Sequence, residues 1–130
     1  MDKVLNFLGM CKRAGSLVSG EDGALGAVRS GEAKLAMLAA DASENTSKKA
    51  EFYSETCGIV LIRLPYSKDE LGDMLGKRVC AVMAVTDKNF AKSFLEKLSA
   101  EHSGYEAALS ELTERLKSRK ERRKSLQKGE

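Results

Sequence analysis

A single histidine, His102, serves the whole chain. It stands in a polar stretch, Glu101-His102-Ser103, with no nucleophile placed beside it, so imidazole acid–base chemistry has little to work with. His102 reads as a surface residue. The three cysteines, Cys11, Cys57 and Cys80, are odd in number and far apart, and they form no C-x-x-C pair. That argues against a zinc site or a redox dithiol, and each is expected to behave as a small hydrophobe in the core. No G-x-x-x-x-G-K-[ST] and no G-x-G-x-x-G after a strand is present. Gly20, Gly23 and Gly26 recur at three-residue steps without the lysine a phosphate loop needs. Asp69, Glu70 and Asp73 read as a solvated helix face rather than an acid/base pair. The expectation is therefore a protein without enzymatic activity, cofactor or metal.

Long apolar runs are also missing. None approaches the roughly 20 residues of a membrane span, so no membrane partner is expected. The segment Met1-Asp2-Lys3-Val4-Leu5-Asn6-Phe7 has an acidic second residue and no long apolar region, which argues against a secretory leader and for a cytoplasmic location.

What the chain does have is 42% hydrophobic residues in 130, enough for one packed domain. Val4, Leu5, Leu8 and Cys11 recur at helical spacing over 3–13, and Gly15 follows. Leu17-Val18 is a brief strand. Ser19 or Gly20 caps a second helix, with Glu21 and Asp22 in its first turn and Gly31 closing it. Lys34 to Ala40 reads as a buried strand. The run Asp41-Ala42-Ser43-Glu44-Asn45-Thr46 opens a helix to about Cys57. Ile59 to Leu64 is a β-branched strand stopped by Pro65. Ser67 caps a helix over Lys68 to Leu75, Gly76-Lys77-Arg78 is a turn, and Val79 to Val85 is the last strand. Asn89 to His102 is a helix with Phe90, Phe94, Leu95 and Leu98 inward. Strands alternating with helices predict an α/β sandwich with crossover connections.

Composition changes after Ser103-Gly104. The chain divides into a domain over 1–103 and a basic C-terminal tail over 104–130, read as an exposed helix fraying into a disordered end. Residues 111–130 carry eight Lys/Arg against four Glu, whereas residues 1–110 have a net charge of −1. Any binding face on the folded part must therefore act locally, while the run Arg119 to Lys124 could hold phosphates by charge alone.

Two loops stand out. Lys12 and Arg13 end the first helix near Ser19, Gly20, Glu21 and Asp22, which open the second. Gly76, Lys77 and Arg78 form a second basic turn. A glycine at a helix start exposes backbone N–H groups suited to phosphate oxygens. Side chains around it can meet the edges of unstacked bases, which is how structured RNA is usually read.

Taken in order, five segments resemble a known family. They are Leu17-Val18-Ser19-Gly20-Glu21, Ala27 to Leu35, Leu38-Ala39-Ala40-Asp41-Ala42-Ser43-Glu44-Asn45-Thr46, Glu70-Leu71-Gly72 through Leu75-Gly76-Lys77, and Val82-Met83-Ala84-Val85-Thr86-Asp87. Together they are similar to the kink-turn-binding ribosomal proteins of the L-seven-Ae type, and most to the short bacterial ribosomal-protein-like members, over about Leu5 to Leu98. The resemblance implies a three-layer α/β/α sandwich around a mixed four-stranded sheet. It implies a partner that is structured RNA, ribosomal RNA included, bent by tandem sheared G·A pairs. In the family the second helix opens with a pattern like G-x-N-E-x-x-K, and a loop before the last strand packs on the extruded nucleotide. On this chain the glycine falls on Gly20, the Asn on Asp22, the Glu on Gly23 and the Lys on Gly26, so only the glycine is kept. The second loop keeps a basic rim at Lys77 and Arg78. The implied RNA-binding residues are Lys12, Arg13, Ser19, Gly20, Glu21, Asp22, Gly76, Lys77 and Arg78. The missing lysine leaves a competing expectation, a protein-interaction module that kept the fold and lost kink-turn reading.

Overall fold

The computed structural model describes residues 2–117. Six helices and four strands follow one another along this stretch. They are α1 (Lys3–Arg13), β1 (Leu17–Ser19), α2 (Glu21–Ser30), β2 (Leu35–Leu38), α3 (Glu44–Cys57), β3 (Val60–Arg63), α4 (Lys68–Leu75), β4 (Val82–Val85), α5 (Lys88–Glu101) and α6 (Glu106–Arg115). The sheet order is β1-β4-β2-β3. β4 runs antiparallel to β1 and to β2, pairing Val85 with both Leu17 and Leu35. β2 and β3 are parallel, with Leu35 opposite Val60. A parallel pair needs a long crossover, and α3 supplies it. The sheet is mixed, as the resemblance implied.

Side chains alternate across each strand, and this period of two builds two cores. Leu35, Met37, Val60, Ile62, Met83 and Val85 point toward α1, α4 and α5, where Leu8, Leu71, Phe94 and Leu98 meet them. Ala36, Leu38, Val82 and Ala84 point the other way, onto Ala24, Ala27 and Val28 of α2 and Ala50 of α3. The second core is built largely from alanine, so α2 lies close against β4. The three layers are helix, sheet and helix.

Caps place the helix starts where the sequence puts them. The Asp2 side chain accepts from Val4 and Leu5 N–H, and Ser43 accepts from Thr46 N–H. Ser67 and Glu70 form a reciprocal capping box. Asp41, in the run before α3, accepts instead from Lys68 N–H at 2.8 Å and so fastens the start of α4.

Several expectations change. The last strand begins at Val82 rather than Val79, because Cys80 N–H is drawn to Lys68 O at 2.9 Å, away from the ladder. Cys11 and Cys80 are core hydrophobes, and burial pushes the Cys11 thiol up to about 11, but Cys57 is exposed at the end of α3. His102 is half-buried, its ring edge-on to Tyr66 at 5.9 Å. The segment after Gly104 is not a freely exposed helix. α6 lays Leu112, fully buried, against β3 and α5. Tyr105 hydroxyl donates to Arg63 O at 2.5 Å, and the Arg115 guanidinium donates to Gly58 O. The run Arg119 to Lys124 lies outside the described residues.

Candidate nucleic-acid interface

α2 starts without a side-chain cap. Gly20 sits at its N-cap with φ 93° and ψ 154°, a region essentially closed to residues with a β-carbon. It has no side chain to accept from the first turn, so the opening N–H groups of α2 face outward with no intrahelical partner. The glycine is held from below. Gly20 N–H donates to Val82 O at 3.0 Å, and the Cys80 thiol donates to the same carbonyl at 3.4 Å. Burial raises the Cys80 pKa, which keeps the thiol protonated for that bond.

The second loop is delivered to the same place by close packing. α4 ends at Gly76, in the left-handed conformation, and the chain then folds back across Gly72. A β-carbon on Gly72 would lie 2.7 Å from Val79 Cα and 2.8 Å from Arg78 O, so only glycine lets the loop sit this low. Lys77 then reaches over to the start of α2, its Nζ donating to Ser19 Oγ at 2.7 Å. Arg78 and Val79 stand exposed beside it, Val79 at 46%.

The sequence-predicted residues thus fall into groups. Ser19, Gly20, Glu21 and Asp22 meet Gly76, Lys77 and Arg78 on one face, through the Lys77–Ser19 bond. The Lys12 ammonium donates to Leu75 O and braces the base of the loop from α1. Arg13 is exposed at the end of α1, its guanidinium lying back along its own helix toward Gly9. The Glu21 side chain turns toward α3, where Lys49 Nζ stands 3.8 Å from Glu21 Oε1. That separation is too long for a hydrogen bond, and Oε1 has no hydrogen-bond partner among the described residues. The face therefore carries outward amides and two cations on one side and the exposed Asp22 carboxylate on the other. No group of three or more His, Cys, Asp or Glu that could hold a metal occurs among the described residues. No helix among them is long and apolar enough to cross a membrane.

Sequence reasoning missed the two supports of this face. The Val82 carbonyl, shared by Gly20 and Cys80, leaves no trace in composition. Gly72 stands in the Glu70 to Lys77 segment that carries the resemblance, but its close approach to the backbone of Arg78 and Val79 is a contact that spacing alone does not reveal.

Over residues 2–95 the sequence matches the Ribosomal protein L7Ae/L30e/S12e/Gadd45 family. The chain belongs to this family. It is 40% identical over 96 residues to "RNA-binding protein YlxQ" of Bacillus subtilis (strain 168), spanning 71% of this chain and 91% of that protein. The Enterococcus faecium protein of the same name is 36% identical over 94 residues, spanning 72% and 89%. Among solved structures, a protein of unknown function from Bacillus halodurans superposes with a TM-score of 0.69 at 28% identity, over 76% of this chain and 99% of that one. The Giardia lamblia 15.5kD RNA binding protein shares the fold, with a TM-score of 0.59 at 20% identity over 77% and 91% of the two chains. The family match ends inside α5, so α6 lies beyond it.

Proposed function

We propose that this chain is a non-enzymatic, cytoplasmic RNA-binding protein that recognises a kink-turn or a similarly bent structured RNA, with ribosomal RNA among its candidate partners. The observation that carries the reading is the joining of the uncapped α2 start to the basic loop by Lys77 and Ser19. Amides at a helix N-terminus suit phosphate oxygens. The Lys77 and Arg78 rim adds charge, and Val79 offers an apolar surface for an unstacked base. The printed names of the two bacterial relatives support RNA as the ligand class. Roles follow from position: Glu21 and Asp22 offer backbone N–H groups, Lys77 and Arg78 meet phosphates, Gly20 leaves the helix start uncapped, Ser19 and Gly76 hold the geometry, and Lys12 and Arg13 border the face.

The test is a titration of the full chain against a kink-turn RNA and an unbent duplex at one fixed salt concentration. A clear preference for the kink-turn is expected. Equal or absent binding would overturn the reading. A second reading, a protein-interaction module, is favoured by two observations: Gly26 stands where the family pattern has a lysine, and Asp22 sets a carboxylate beside the amides, which disfavours phosphate. A family-fold protein that binds no RNA but recovers a defined protein from nuclease-treated lysate would support it.

A further inference from the structure

We propose that the pole of the sheet opposite the α2 face is a second RNA-binding surface, which grips phosphates without regard to sequence. It rests on the reading of the chain as RNA-binding, but on none of the residues of the α2 face. β4 begins at Val82, beneath Gly20, and ends at Val85. A strand of this length spans about 13 Å. At its far end Lys34 N–H donates to Val85 O at 2.7 Å, and α5 starts three residues later with Lys88. Two adjoining hollows open there. Lys34, Lys88 and Arg115 border the first, and Lys88, Lys92, Thr113 and Lys117 border the second, with Leu116 between them. No Asp or Glu lines either hollow.

The cations differ in how far they are committed. Arg115 is paired with Glu111 at 2.6 Å, and Lys117 with Glu114 at 3.0 Å. Lys34, Lys88 and Lys92 have no hydrogen bond or ion pair through their ammonium groups among the described residues. The nearby Asp87 carboxylate is occupied in capping α5, accepting from Phe90 N–H at 2.9 Å. Three uncommitted ammonium groups around a concave surface repel one another and are relieved by a polyanion. In the sequence, residues 118–130 follow Lys117 and carry six Lys/Arg against two Glu. A nucleic-acid backbone, with one charge per ~1.7 Å of duplex axis, matches such a surface better than a compact anion does.

The experiment uses the full chain with Lys34→Gln, Lys88→Gln and Lys92→Gln combined. Binding to a straight RNA duplex and to a kink-turn RNA is measured across a salt series. A charge-matched control carries Lys3→Gln, Lys48→Gln and Lys97→Gln. Neutralising the pole is expected to weaken both RNAs by the same factor, about tenfold near 0.1 M salt. It should also lower the slope of log affinity against log salt by about 2, as losing two or three phosphate contacts requires. The control should change neither. Unaltered affinity and slope in the pole variant, or an equal loss in the control, would overturn the proposal. Retained duplex binding through the pole without kink-turn preference would overturn the α2 reading alone. Absence of any RNA binding by the wild type would overturn both.

Discussion

Lys77 Nζ donates to Ser19 Oγ at 2.7 Å, across 58 residues of sequence. That bond ties the loop after α4 to the residue preceding Gly20, so two separate segments present one face. Lys77→Ala should lower affinity for a kink-turn RNA by three- to tenfold and reduce the salt slope by about 1, because it removes both a cation and the tie. Ser19→Ala removes only the tie. It should cost a smaller factor and leave the slope unchanged. Equal slopes in wild type and Lys77→Ala would show that Lys77 meets no phosphate.

Two glycines at helical positions should respond with opposite signs. Gly72→Ala forces a β-carbon into the backbone of Arg78 and Val79, and should destabilise the fold by about 1–3 kcal/mol while displacing the loop. At Gly26 nothing lies within 4 Å of an added β-carbon. Gly26→Ala should stabilise by about 1 kcal/mol through helix propensity alone. Gly26→Lys, which restores the residue of the family pattern, should tighten kink-turn binding relative to duplex. Urea midpoints and paired titrations decide each case.

Leu112 is wholly buried although it lies beyond the family match. Leu112→Ala should cost about 2–5 kcal/mol in urea unfolding, as a large-to-small change in a packed core does. A loss under 0.5 kcal/mol would mean that α6 packs too loosely to belong to the folding unit.

Asp2 caps α1 and accepts from Tyr66 hydroxyl at 2.9 Å. Burial works to raise its pKa, but the bonds from Tyr66, Val4 N–H and Leu5 N–H outweigh it and hold the carboxyl below its ordinary 3.8. A carboxylate depressed in the folded state adds stability above the unfolded pKa and loses it as pH falls through the folded value. Asp2→Ala should therefore be less stable than wild type at pH 7, by about 1 kcal/mol for the lost cap. The gap should narrow as pH falls below about 4. A gap constant from pH 7 to 2 would mean that the charge contributes nothing.

Much of the fold was legible because each element carries its own punctuation. Ser43, Ser67, Gly31, Gly58 and Gly76 mark helix ends where the structure has them. Edges were legible to within a few residues, and the misplaced start of β4 has a tertiary cause. Val79 to Ala81 has strand character, but Cys80 N–H is spent on Lys68. The helix after Gly104 reads as exposed from its sequence because its inner face is narrow, resting on Leu112 with partial cover from Ala108, Leu109 and Leu116.

By itself the sequence determined the order of the elements, the two apolar faces of the strands and the family, because capping, turn chemistry and hydrophobic period act over a few residues. Only the tertiary structure decided which loops meet. The antiparallel pairing of β1 with β4 brings Ser19 to the end of the strand that follows Lys77. The absence of a β-carbon at Gly72 then lets that loop close on the start of α2. The same strand pairing sends Lys34 and Lys88 to the other pole together. Contacts between residues so far apart in sequence arise from sheet register and close packing, neither of which local composition encodes.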